Sequence, residues 1–266
     1  MVEFATSAAQ MDQDQQEAYL HVEGLCKSFA GQVLYDNFHL SLAKGKFISV
    51  FGPNGCGKST LINMVSGLIP CDRGRISVAG LPINRAQIGY VFQNYRDSLF
   101  PWISAFDNIA YPLKVNGLST RECKLKVEEL LNTFDINLDL KRYPYQFSGG
   151  QQQLIAILRA IVAQPDILFL DEPFSALDFE MTLYVREKLQ AVFLESGLTT
   201  VIVSHDLEDA VYLADQVLLL SKRPTYLVES VTFNSPRPRT PDTLSDSEFI
   251  RVKSHCLDIF RQEMRK

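Results

Sequence analysis

The spacing of apolar and polar positions in this chain changes several times after residue 19. Residues 19–26, 33–42 and 47–51 are rich in β-branched and aromatic side chains and are separated by Gly and Asn, which predicts three strands. A glycine turn follows the third, and helical spacing begins at Gly57. Farther on, residues 167–170, 200–203 and 217–220 are almost continuously apolar, the pattern of strands covered on both faces. Between those runs, residues 179–195 and 207–214 repeat their apolar positions at helical spacing. Strand and helix therefore alternate, which predicts an α/β fold with a parallel central sheet and helices packed on it.

Two regions break the alternation. Between Gln93 and Ser148 an amphipathic helix is predicted over 121–134, with Gly, Pro and Asn punctuating the rest, so a helical subdomain is expected at about 94–163. After Lys222 come a short β-like piece, a Pro/Arg stretch (Pro236, Arg237, Pro238, Arg239, Pro241) and a helix from about Asp246 that Ser245 can cap. Residues 1–17 are rich in Gln, Asp, Ala and Ser, have little to bury, and read as a disordered tail. The expected organisation is a tail at 1–17, a catalytic domain at 18–236 and a C-terminal extension at 237–266.

Composition narrows the chemistry. At 266 residues and 46% hydrophobic content the chain can bury a full core. With 26 Lys+Arg against 31 Asp+Glu, the net charge of -5 argues against nucleic acid as a partner, which would favour a basic face. No basic start leads into an apolar segment and no 18 consecutive residues are apolar, so neither a secretion signal nor a membrane span is expected. The five cysteines (Cys26, Cys56, Cys71, Cys123, Cys256) contain no Cys-x-x-Cys pair, and the four histidines show no ligand spacing, so zinc and a disulfide framework are not expected.

Two segments carry reactive chemistry. Gly52-Pro53-Asn54-Gly55-Cys56-Gly57-Lys58-Ser59-Thr60 fits G-x-x-x-x-G-K-[ST] and sits between a predicted strand and a predicted helix. The glycines let successive amides face inward onto phosphate oxygens at a helix N-terminus. Lys58 would reach the β- and γ-phosphates, the Ser59 hydroxyl is placed for Mg²⁺, and Thr60 adds a hydrogen bond at the helix start. Cys56, near that N-terminus and Lys58, is expected to have a lowered thiol pKa and to alkylate readily unless a bound nucleotide protects it. Kinases, GTPases and transport ATPases share such a loop. The second segment, residues 167–173, is an apolar strand ending in two acids. Asp171 is expected to hold Mg²⁺, and Glu172 to act as general base for an attacking water.

Gln146-Phe147-Ser148-Gly149-Gly150-Gln151-Gln152-Gln153 resembles the signature motif of ATP-binding cassette (ABC) proteins. Alone it is a Ser-Gly-Gly turn before a helix expected at 152–161, with a hydroxyl and open amides that suit an anion. Other matching pieces occur in that family's order from Tyr19 onward: Phe29 as the adenine-stacking aromatic, the phosphate loop, Gln93, the signature, the acid pair, Ser175-Ala176-Leu177-Asp178, and His205 in Ser204-His205-Asp206. What the resemblance implies is a P-loop NTPase core with an antiparallel β subdomain and an α-helical subdomain, binding ATP and Mg²⁺. It implies a head-to-tail dimer, as a homodimer or with a paired ATPase subunit, in which ATP lies between one phosphate loop and the other chain's Ser148, Gly149, Gly150 and Gln151. His205 would then contact the γ-phosphate, Gln93 would meet Mg²⁺ or the water, and Asp178 would lie at the dimer seam.

Within the family the likeness is to the ATPases of nitrate, sulfonate and taurine importers, carried by Leu99-Phe100-Pro101-Trp102, by residues 173–178, by Ser221-Lys222-Arg223-Pro224 and by Pro236-Arg237-Pro238-Arg239. That likeness implies two membrane permease subunits, an extracytoplasmic solute-binding protein, and a peripheral place on the cytoplasmic face of a bacterial inner membrane. Residues 94–111, with Phe100, Trp102 and Phe106, are the candidate groove for a permease helix. An exporter or DNA-repair type of cassette is the alternative, though long coiled-coil arms would not fit in residues 94–147. Leu154 stands where most relatives have Arg, and Leu158 where they usually have Ala; the lost cation is expected to weaken a contact across the dimer.

Overall fold

The structure is a computed structural model and describes residues 18–175 and 177–266; the expected tail at 1–17 and Ala176 lie outside the described residues. Strands β1 (Leu20–Phe29) and β2 (Gln32–Leu42) form an antiparallel hairpin. With β4 (Arg73–Val78) and β5 (Leu81–Pro82) they make a four-stranded sheet in the order β2-β1-β4-β5. The second sheet has six strands in the order β10-β9-β3-β8-β7-β6. These are β3 (Phe47–Phe51), β6 (Ile88–Val91), β7 (Ile167–Asp171), β8 (Thr199–Val203), β9 (Gln216–Leu220) and β10 (Leu227–Thr232). All pairings in it are parallel except that of β10 with β9.

The near-continuous apolar runs are explained by what lies on each side of this sheet. Successive side chains of a strand point to opposite faces, so one strand feeds two cores. Phe47, Leu168, Leu170, Ile202, Val217 and Leu219 join the larger core, with helices α2 (Ala105–Val115), α3 (Thr120–Thr133), α4 (Gly149–Ile161) and α5 (Phe179–Ser196). Their neighbours Ile48, Val50, Ile167, Phe169, Val203 and Leu218 face a second core built with α1 (Lys58–Val65) and the β1–β2 hairpin. Neither face of β3, β7 or β8 meets water, which is why polar alternation is absent there.

Three strands carried no signal that was read from the sequence, the two-residue β5 among them. β4 is largely exposed and begins Arg-Gly-Arg, and β6 is only four residues long. A side chain on Gly89 of β6 would stand 2.8 Å from the Ala160 carbonyl, so glycine is what lets the end of α4 rest on this edge strand.

Helix starts follow capping chemistry. Ser104, Ser119, Ser148 and Asp178 each accept a backbone N–H from the first turn of α2, α3, α4 and α5. Asp206 does the same for α6 (Leu207–Leu213). The helix expected over 152–161 begins three residues earlier, because the Ser148–Gln151 capping box holds both glycines in the first turn. The C-terminal helix α7 (Ser247–Arg265) starts after Asp246 without a side-chain cap. Ser245 does not cap it, since that residue closes a 3₁₀ turn, Pro241–Ser245.

The Pro/Arg stretch has an internal role. The Arg239 side chain is buried and donates to the carbonyls of Val211, Tyr212, Ala214 and Phe233 at 2.8–3.2 Å. Arg237 pairs with Asp215 at 2.8 Å, and Asp215 also accepts the Phe47 amide at 2.9 Å. Phe249, Val252 and Cys256 of α7 complete the same core.

Candidate functional site

Four of the predicted segments emerge at the carboxyl ends of the central strands, where ligands sit in open α/β sheets. β3 leads into residues 52–57, and α1 begins at Lys58 behind Gly57, whose backbone is left-handed at φ 99°. Gly55 is also left-handed, at φ 76°. These conformations suit glycine and turn the chain sharply onto the helix N-terminus. Lys58 is buried, and its ammonium donates to the carbonyls of Gly52 (2.9 Å) and Pro53 (3.1 Å). Next to it, the Ser59 hydroxyl donates to Asp171 at 3.0 Å. Burial pushes the Asp171 carboxyl up; the bond from Ser59 and the charge of Lys58 oppose this, while neighbouring Glu172 adds to it. Asn54 is exposed, and Thr60 is half-buried in the first turn of α1.

Asp171 ends β7, and Glu172 has a left-handed backbone at φ 46°. For a residue with a side chain this costs about 1–3 kcal/mol, and such strain clusters at functional sites. Its effect is to aim two adjacent carboxylates at different partners. Asp171 meets Ser59; Glu172 Oε2 accepts Gln93 Nε2 at 2.9 Å and lies 3.2 Å from His205 Nδ1. Gln93 follows β6 and His205 follows β8, so three separate strands deliver these groups to one oxygen. A cavity of about 310 Å³ opens beside them, lined by Glu172, Ser175, Ser204, His205 and Arg186 among others.

The remaining candidates lie apart from this cluster. Phe29 stands at the tip of the β1–β2 hairpin, half exposed, with Lys27 Nζ 5.1 Å from its ring centre. The hydrogen bonds of Ser148 and Gln151 stay inside the capping box of α4, where Ser148 is exposed, Gly149 and Gln151 are half-buried and Gly150 is buried. A side chain at Gly150 would run into Met181, so glycine permits close approach of α4 to α5. Asp178 accepts the Met181 amide at 2.9 Å, and the adjoining Phe179 is 78% exposed.

Two expectations are corrected. Cys56 is 1% exposed and its thiol lies against Gly52, so burial raises its pKa; the charge of Lys58 lowers it but does not prevail. Buried thiols of this kind are inert. In native alkylation at pH 8, Cys26 and Cys71, both partly exposed, are expected to label before Cys56, as peptide mass spectrometry would show. Labelling of Cys56 first would contradict the packing. Leu154 and Leu158 are 2% and 0% exposed in the larger core. Position 154 therefore faces the chain's own core, which speaks against the expected contact across the dimer.

Comparison with known proteins supplies what the geometry leaves open. Residues 35–175 match the ABC transporter family. The chain is 34% identical to the taurine import ATP-binding protein TauB of Escherichia coli strain K12, over 91% of this chain and 98% of that protein. Its fold is similar to the dimeric structure of MJ0796, a bacterial ABC transporter cassette, with a TM-score of 0.71 and 27% identity over 82% of this chain and all of that one. The same scores hold, at 26% identity, for a post-hydrolysis dimer of that cassette bound to ADP and Pi. This chain belongs to the ABC transporter family and is one of its ATP-hydrolysing cassettes.

Proposed function

We propose that this chain is the ATPase subunit of an importer for a small solute of the nitrate, sulfonate or taurine kind, acting as a head-to-tail dimer around two ATP. The observation that carries the catalytic part is the convergence of Gln93 and His205 on Glu172, beside the Ser59–Asp171 pair. In this reading Glu172 draws the proton from the attacking water, His205 orients that water against the γ-phosphate, and Lys58 with the loop amides binds the phosphates. The oxygen donors of Ser59 and Asp171, joined by Gln93, suit the hard cation Mg²⁺, which would neutralise charge on the phosphate oxygens. Phe29 would stack on adenine. Ser148, Gly149, Gly150 and Gln151 would meet the ATP of the other chain, with Asp178 at the seam, as the dimeric form of the related cassette supports.

The importer part is supported by the likeness to TauB over almost all of that protein's length. No helix among the described residues is long and apolar enough to cross a membrane, so permease subunits would supply the spans and this chain would bind at the cytoplasmic face. A cavity of about 590 Å³ lies between β6 and the helical region, lined by Leu68, Ile88, Phe92, Phe100, Tyr111 and Arg159 among others. Trp102 stands at its rim, 72% exposed, with its ring 5.6 Å from that of Phe100. Exposed aromatics around an apolar trough suit an amphipathic permease helix. Trp102 is the only tryptophan, so its fluorescence is expected to shift blue when permease-bearing vesicles are added. Trp102→Ala should lower co-sedimentation with those vesicles roughly tenfold, as loss of an interface anchor does. Wild-type sedimentation of that variant would remove this groove from the proposal.

A further inference from the structure

The phosphate loop is held from outside by residues distant in sequence. Three successive carbonyls, those of Gly55, Cys56 and Gly57, each accept a side-chain hydrogen bond. Arg223 Nε reaches Gly55 at 2.5 Å, Thr225 Oγ1 reaches Cys56 at 2.6 Å, and the Tyr35 hydroxyl reaches Gly57 at 3.0 Å. Thr225 and Tyr35 are 2% and 1% exposed. Tyr35 lies on β2 and Thr225 in the turn between β9 and β10, yet they are joined directly, since the Thr225 amide donates to the Leu34 carbonyl at 2.8 Å and residues 35 and 225 form a bridge. The turn carrying Arg223 and Thr225 is tied in its turn to α7, because Lys222 Nζ donates to the Met264 carbonyl at 2.7 Å.

A peptide group is planar, with its carbonyl and the following N–H on opposite sides. Fixing the carbonyls of Cys56 and Gly57 outward therefore aims the amides of Gly57 and Lys58 the other way, toward the side where a loop of this type takes phosphate, while the bond to Gly55 steadies the turn in which the Cys56 amide donates to the Pro53 carbonyl at 3.2 Å. We propose that Tyr35, Thr225 and Arg223 form a belt of positioning residues that pre-orients the phosphate loop of this cassette for ATP. None of the three touches the phosphates; they act through the loop's carbonyls. Burial pushes the Tyr35 phenol up, so it remains a donor at any working pH.

Because phosphate is held in both the ground state and the transition state, loosening the loop removes uniform binding, which raises KM and spares kcat. Each bond is expected to be worth about three- to tenfold in ATP affinity, the usual net range for one hydrogen bond. The test uses the full chain. Thr225→Val keeps the shape of the side chain and removes the donor, Thr225→Ser restores it, and Arg223→Ala acts at an exposed site where folding is not at risk. KM and kcat for ATP, the dissociation constant of a fluorescent ATP analogue and the melting temperature without nucleotide are measured for each. The expected result is a higher KM and weaker analogue binding for Thr225→Val and Arg223→Ala, with kcat within about twofold, and recovery in Thr225→Ser. Wild-type KM in Thr225→Val and Arg223→Ala overturns the proposal. So does a Thr225→Ser variant no better than Thr225→Val, or a loss that appears only in kcat. The proposal rests on residues 52–59 being the nucleotide site, which Lys58→Ala tests separately. If that variant binds the analogue like wild type, the site assignment fails, whatever the belt variants do.

Discussion

Replacing Glu172 with Gln is expected to leave ATP binding near its wild-type strength while lowering turnover by roughly 10²- to 10⁴-fold, the range removed with a general base. The substitution keeps the size of the side chain and both hydrogen-bonding positions, so the contacts with Gln93 and His205 can re-form with a rotated amide. What disappears is the ability to take a proton. Asp171 and Ser59 are untouched, which is why nucleotide affinity should survive. With hydrolysis blocked and binding intact, the ATP-bound dimer should accumulate and be visible by size-exclusion chromatography with light scattering. Phosphate release measured under saturating ATP checks the first half of the expectation. If turnover persists within about threefold of wild type, the base is another group and the convergence on Glu172 has a different purpose.

The second large effect falls on stability and lies far from the phosphate loop in sequence. Arg239→Met should lower the unfolding free energy by about 3–5 kcal/mol, because it removes a buried cation from its partners. The guanidinium bonds four carbonyls and lies 3.6 Å from Asp215, so its loss strands several buried acceptors at about 1–3 kcal/mol each. Methionine recovers part of this through apolar contact, which keeps the total below the plain sum. Burial pulls the Arg239 pKa down to about 10, still well above neutral, so the clamp stays protonated and intact between pH 6 and 8. A fall in melting temperature of roughly 10 °C is expected for a domain of this size. A change under 2 °C would mean that the carbonyls find other donors.

The central sheet and the phosphate loop could be read from the sequence because their determinants are local. Residues 47–60 contain the strand, the glycines and the lysine in one stretch, and buried parallel strands announce themselves as apolar runs. The Ser148 cap is likewise within three residues of what it caps. The family likeness added the roles of Gln93 and His205, which no local pattern would single out. What stayed hidden depends on long separations. Tyr35 looks like one more β-strand aromatic, and Thr225 like a turn residue, until the fold brings them to the loop from 22 and 169 residues away. Cys56 was misjudged because proximity to a helix N-terminus was visible and burial was not. The strands β4, β5 and β6 escape the pattern because the first is exposed and charged and the other two are short.

The place of β3 at the middle of the six-stranded sheet also dictates when the nucleotide site can exist. Its two neighbours are β8 and β9, whose residues begin at Thr199 and Gln216, while β3 itself ends at Phe51. A ribosome has therefore made the phosphate-binding segment long before it has made either strand that holds it. Until Val203 has been made the loop has no flanking strand, until Leu220 it lacks one of the two, and pairing across that separation is intrinsically slow. Emergence of ATP binding on the nascent chain is thus tied to synthesis of β9, which ends at Leu220.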